Sequence, residues 1–225
     1  MLTRPRSWLP QQIVNLYDNA RLDIASVWGL LLQRRFTEDG FDYLQVGCGD
    51  DLLPGFLNTD HFINRNAPAH VDIRYPLPFK NERWRGIYAH HILEHITQPD
   101  AMRFFREAHR TLKPGGILRI VVPDAEKALR LYGSPAQLYD ILPPGHRDEI
   151  EPRTAMMMIN FVFYCNKYNA HLSAWDFETM ALCLQRVGFA SVTRAEFGIS
   201  ADPHLSNIDP RPHWAAHSLY VDAVK

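Results

Sequence analysis

Tyr43-Leu44-Gln45-Val46 is a short, mostly apolar run that stops at Gly47-Cys48-Gly49. A second run, Phe56-Leu57-Asn58-Thr59, ends in Asp60. Short apolar runs bounded by turn residues read as buried strands. The glycines permit a sharp turn, because they take backbone dihedrals that a side chain forbids. Only Asp50 to Thr59 separates Gly49 from Asp60, and the second strand takes several of those residues. A parallel crossover with its helix needs about a dozen residues or more. The helix after the first strand is therefore reduced to about a turn, and one face of the sheet needs cover from elsewhere. Residues Pro10 to Phe36 are the best candidate. Leu16, Leu22, Val27, Trp28, Leu31 and neighbouring apolar residues recur at mostly helical steps, and Arg34-Arg35 suits a helix C-terminus.

Further strands are expected at Ala69 to Ile73 and Gly86 to His90. Asp100 to Leu112 reads as a helix, with Met102, Phe105, His109 and Leu112 on one face and Lys113-Pro114-Gly115-Gly116 as its stop. Ile117 to Val122 is apolar apart from Arg119, which suits a central strand buried on both faces. Met156 to Tyr164 is a dense apolar patch, read as helical, and suits a core, an acceptor pocket or an oligomer contact such as a homodimer. Asp176 to Val187 is a clearer helix stopped by Gly188. Val192 to Phe197 and Leu219 to Val224 read as final strands, and Ala201 to Ala216, with three prolines, as a loop. Strands alternating with helices give an α/β chain with a mostly parallel sheet. The division expected is a helical extension over residues 1–36 and one domain over 37–225, with a substrate-shaping insert at about 125–175.

Composition narrows the function. The formal net charge is -1 and no basic stripe appears, which argues against nucleic acid as the main partner. The three cysteines, Cys48, Cys165 and Cys183, have neither disulfide nor zinc-finger spacing, so reduced thiols and a cytoplasmic location are expected. No signal peptide and no apolar run of about 18 residues is seen, so no membrane span is expected.

Asp60 and Asp72 stand near the ends of successive strands, beside the glycine turn. A carboxylate at the first position can accept both hydroxyls of a ribose. One at the second can accept from an adenine amino group. Together with Leu53-Pro54-Gly55-Phe56-Leu57-Asn58-Thr59-Asp60, Val71-Asp72, Leu77-Pro78-Phe79, His91-Ile92-Leu93-Glu94-His95 and Leu112-Lys113-Pro114-Gly115-Gly116, the turn resembles class I S-adenosylmethionine (SAM)-dependent methyltransferases. The nearest pattern is the bacterial "predicted SAM-dependent methyltransferase" group, similar to the ubiquinone-type superfamily. The resemblance runs well from about Phe41 to Val122 and more loosely through His171 to Phe177. It implies a Rossmann-like fold with a seven-stranded, mostly parallel sheet flanked by helices, and SAM as cofactor. It implies a cofactor site of Gly47, Cys48, Gly49, Asp60, His61, Asp72, Ile73 and His90. Two positions depart from the common pattern. Gln45 stands where an acid precedes the glycines, and Asp51 where a third glycine is usual.

His90-His91 and Glu94-His95 follow the fourth strand, where open α/β sheets bind ligands. Methyl transfer to a hydroxyl requires removal of a proton, and a histidine suits that near neutral pH. His91 or His95 is the candidate base, with Glu94 orienting it; the alternative is that the motif holds the loop. No His-Glu-x-x-His motif is present, and no metal is expected. His146, His171, His204, His213 and His217 each read as surface or hydrogen-bonded histidines. The favoured function is methyl transfer to a small molecule or saccharide, at oxygen. A non-catalytic SAM-binding protein is the alternative. A nicotinamide oxidoreductase ranks last, because its third glycine position is Leu52 and a full helix has no room.

Overall fold

The computed structural model describes residues 39–61, 69–142, 154–164 and 171–225. The N-terminal extension, Cys165 and His146 lie outside the described residues. Strands β1 (Tyr43–Val46), β2 (Phe56–Asp60), β3 (Ala69–His70), β4 (Trp84–His90), β5 (Leu112–Pro123), β6 (Ser191–Ala195) and β7 (Ser218–Val224) form one sheet in the order β3-β2-β1-β4-β5-β7-β6. The first five pair in parallel, and β7 runs antiparallel to both β5 and β6. Helices are α1 (Gln98–Thr111), α2 (Ala125–Arg130), α3 (Pro135–Ile141), α4 (Ala155–Tyr164) and α5 (Phe177–Val187).

Local sequence explains the helix ends. Thr97 caps α1 by accepting from the Asp100 N–H, with Pro99 in the first turn. Asp176 caps α5 through Thr179 N–H, and Gly188 ends it at φ 114°. Two boundaries differ from the sequence expectation. The third strand pairs only over Ala69–His70, because Asp72 turns away to meet Arg74. Lys113 to Gly116 do not merely stop α1; they lie within β5 as an irregularity, since the ladder to β4 steps from Trp84–Leu112 to Gly86–Ile117.

The two faces of the sheet differ in chemistry. One carries Leu44, Val46, Ile87, Leu118, Ile120, Val122 and Val221, packed with Phe104 and Phe105 of α1 and Met180 and Leu184 of α5. Alternation sends Tyr43, Tyr88, Val121 and Tyr220 to the other face, where they cluster with Leu205. Buried Gln45, Arg119 and Asp222 lie at the alternate strand positions beside them. Leu44 and Val46 are thus covered by helices. The second face is the one short of a crossover helix, and residues 196–217 cover it.

Hydrogen bonds fasten that cover. Arg119, with no exposed surface, pairs with Asp222 at 3.0 Å and donates to the carbonyls of Ile199 and Glu196. Tyr43 donates to Asp202 at 2.8 Å and Tyr88 to Asp209 at 2.6 Å. A segment without helical periodicity is held by side-chain bonds to a polar sheet face. Residues 125–142 and 154–164 contribute α2, α3 and α4, which share a small core of Ala128, Leu138, Leu142, Met158 and Ile159. No helix of the described residues is long and apolar enough to cross a membrane.

Candidate active site

β1, β2 and β4 run parallel, so their carboxyl ends meet at one edge. There Gly47 and Gly49 take φ of 65° and 50°. A Cβ on Gly47 would stand 2.2 Å from Ile92 Cγ2, so both dihedral and space demand glycine. A Cβ on Gly49 would meet nothing within 4 Å among the described residues. Gly49 N–H donates to Asp60 Oδ2 at 2.8 Å, and His61 Nδ1 lies 3.3 Å from Asp60 Oδ1. Cys48 is buried, and burial, with Asp60 nearby, pushes its thiol up to about 12. It is a packed neutral thiol.

The short connection after β1 is built by two buried amides. Gln45 Nε2 donates to the Asp51 carbonyl, Asn58 Oδ1 accepts from Leu53 N–H, and Asn58 Nδ2 donates to the carbonyls of Leu53 and Phe56. The Gln45 side chain therefore braces the turn. Asp72 is buried and clamped by Arg74, with Nη2 to Oδ2 at 2.7 Å. Ile73 packs in the main core.

β4 ends at His90, whose ring lies parallel to Trp214 at 5.8 Å. Burial, with His91 beside it, pushes the His90 imidazole down to about 3. His91 takes φ 51° and so turns the chain sharply. Its Nδ1 lies 3.0 Å from Glu94 Oε1 and its Nε2 2.8 Å from Ser218 Oγ, which donates onward to the Trp214 carbonyl. Glu94 is 2% exposed. Burial pushes its carboxyl up, but His91, then His95 and His171, outweigh this and hold it at about 2. Oε2 has no hydrogen-bond partner among the described residues. His95 Nε2 stands 3.9 Å from Oε1, and the His95 ring meets His171 edge-on at 5.0 Å.

The sequence reading brings His91, Glu94 and His95 together, and so does the structure. It misses His171. Leu172 and Ser173 N–H donate to the Glu94 carbonyl, and Ser173 Oγ donates to that of Leu93. The reading also misses a strap over residues 211–217. Arg211 pairs with Asp51 at 2.7 Å and lies over the Trp214 ring, linking the glycine turn to the end of β4. The signal available was the crowding of Arg211, His213, Trp214 and His217 in an aperiodic stretch.

A family model described as a methyltransferase domain matches residues 21–194, well over half of the chain. The chain belongs to the methyltransferase family. This methyltransferase has the Rossmann-like class I fold, is SAM-dependent, and uses S-adenosyl-L-methionine as cofactor. No curated protein matches its sequence. Among solved structures it is similar to a SAM-dependent methyltransferase from Archaeoglobus fulgidus, at 15% identity and a TM-score of 0.48, over 89% of this chain and 94% of that one. Another is a SAM-dependent methyltransferase from Mesorhizobium loti, at 16% identity and a TM-score of 0.45, over 91% of this chain and 100% of that one.

Proposed function

We propose that the enzyme methylates an oxygen of a small-molecule or saccharide acceptor. The observation that carries this reading is the buried Glu94, 3.0 Å from His91 and 3.9 Å from His95, just past the carboxyl end of β4. Gly47, Cys48, Gly49, Asp60, His61, Asp72, Ile73 and His90 would hold the cofactor. The residues fit on two counts. Among the described residues nothing stands within 4 Å of where a Gly49 Cβ would lie, and Asp60 sets a buried carboxylate at a strand end, the acceptor that a ribose diol needs. The Arg74 clamp makes Asp72 a weaker acceptor for adenine than an unpaired carboxylate. Bound SAM supplies a sulfonium-activated methyl group.

A hydroxyl acceptor must lose its proton as the new bond forms. The His91–Glu94–His95 cluster serves that loss. His91 has both ring nitrogens engaged, so it positions Glu94. The His95 side chain is 24% exposed, against 9% for His91, and is the more accessible to an acceptor. The test is to incubate enzyme and SAM with a panel of sugars, phenols and amines, following S-adenosylhomocysteine and the site of methylation in the product. A singly methylated oxygen is expected. A methyl found only on nitrogen or carbon acceptors would overturn the reading.

A further inference from the structure

Glu94, His95 and His171 offer one carboxylate oxygen and two imidazole nitrogens, all within 4.8 Å of one another. Glu94 also lines a small cavity with Phe163, His171, Ser173 and Trp175. One of its oxygens is already satisfied by His91, while Oε2 is buried with no hydrogen-bond partner among the described residues. An anion with an unsatisfied oxygen away from water is costly unless a cation or donor meets it. From these observations we infer that Glu94, His95 and His171 bind a divalent transition-metal ion, with zinc the best match to two imidazoles and a carboxylate.

The surroundings suit such a site. Glu94 is held from behind by the His91–Ser218 chain, the kind of outer hydrogen bonding that fixes metal ligands. The His171 segment is pinned to Glu94 through Leu172 N–H at 2.6 Å, and Trp175 Nε1 steadies Ser173 at 2.9 Å. Tetrahedral zinc holds its ligand atoms about 3.3 Å apart, so the donors close by roughly an ångström of side-chain rotation. Three protein ligands leave a position for water or an oxygen of the acceptor. This last step rests on the proposed oxygen methylation. With zinc bound and His95 a ligand, the proton of a coordinated hydroxyl would pass to water; the oxygen would keep the electron pair of its O–H bond and attack the methyl carbon as the carbon–sulfur bond breaks and S-adenosylhomocysteine leaves. The sequence alone points away from a metal because no His-Glu-x-x-His motif is present, and the third donor, His171, lies far along the chain.

Zinc binding by the full chain is measured by calorimetry and elemental analysis, and cobalt binding by visible absorption. His171→Ala removes a partly exposed ligand, and exposed His213→Ala is the control. One zinc ion per chain is expected, with at least a tenfold weaker affinity in His171→Ala, no change in His213→Ala, and loss of the cobalt bands only in the former. Absence of stoichiometric zinc, or equal affinity in His171→Ala and the native chain, overturns the site. Methyl transfer to a hydroxyl in the presence of chelator, without zinc binding, removes the metal and leaves the proposed function standing. Zinc binding through His171 with methylation confined to nitrogen keeps the metal and removes the oxygen acceptor.

Discussion

Single residues at the glycine turn carry opposite demands. Gly47 is needed by the protein itself, since any side chain strikes Ile92 and strains the backbone. Gly47→Ala should cost about 2–4 kcal/mol, combining positive-φ strain with overpacking. Urea unfolding checks this, and a loss below half a kcal/mol, on the scale of neutral surface changes, would refute it. Asp60 should matter chiefly to the ligand. Asp60→Ala is expected to weaken SAM binding by about 1.5–3 kcal/mol, the scale of hydrogen bonds to a charged group. Calorimetry with an unchanged affinity would remove Asp60 from the site. These residues were legible because the signal is local: strand, glycines and acid lie close together in the sequence. His171, Arg211 and Trp214 were not, because tertiary contacts alone bring them to β1 and β4. A histidine's neighbours across the fold leave no mark on its own segment.

At the level of elements, α1 and α5 are readable from their apolar stripes and caps, and strands from their short apolar runs, whereas the short helices α2 and α3 carry no such stripe. The loop over residues 201–216 was recognised only as aperiodic. Its role as a cover is written in the partner surface, where strand positions facing it carry Gln45, Tyr88, Arg119 and Asp222. Arg119→Met should leave Asp222 and Asp209 buried without their cation, at a cost of about 3–5 kcal/mol. The damage should also be directional. Limited proteolysis read by mass spectrometry should find the first new cuts between residues 196 and 217. First cuts in α1 or α5 instead would show that Arg119 does not fasten this cover.

For the molecule as a whole, buried imidazoles set a dependence on acidity. Burial pushes His217 and His90 down to about 3, whereas an imidazole in the unfolded chain titrates near 6.5. Between those values the unfolded chain holds more protons, so acid favours it. Stability from these groups is full above about pH 6.5 and declines as the pH falls toward 3, by about 2 kcal/mol for each histidine at pH 5. Urea unfolding at about pH 7.5 and 5 measures this loss, and His217→Gln should reduce it. An unchanged loss in that variant would mean that His217 is not the group responsible.

The order of the sheet has a further consequence for synthesis. β7 lies between β5 and β6, and its first residue, Ser218, meets His91. On the ribosome, β6 emerges before β7 and has no neighbour in the sheet to pair with until β7 arrives. Until then a nascent chain exposes the open edge of β5, an invitation to wrong pairing, and lacks the serine that seats His91. Completion of the sheet and seating of His91 are therefore one late event, and premature termination before β7 discards both.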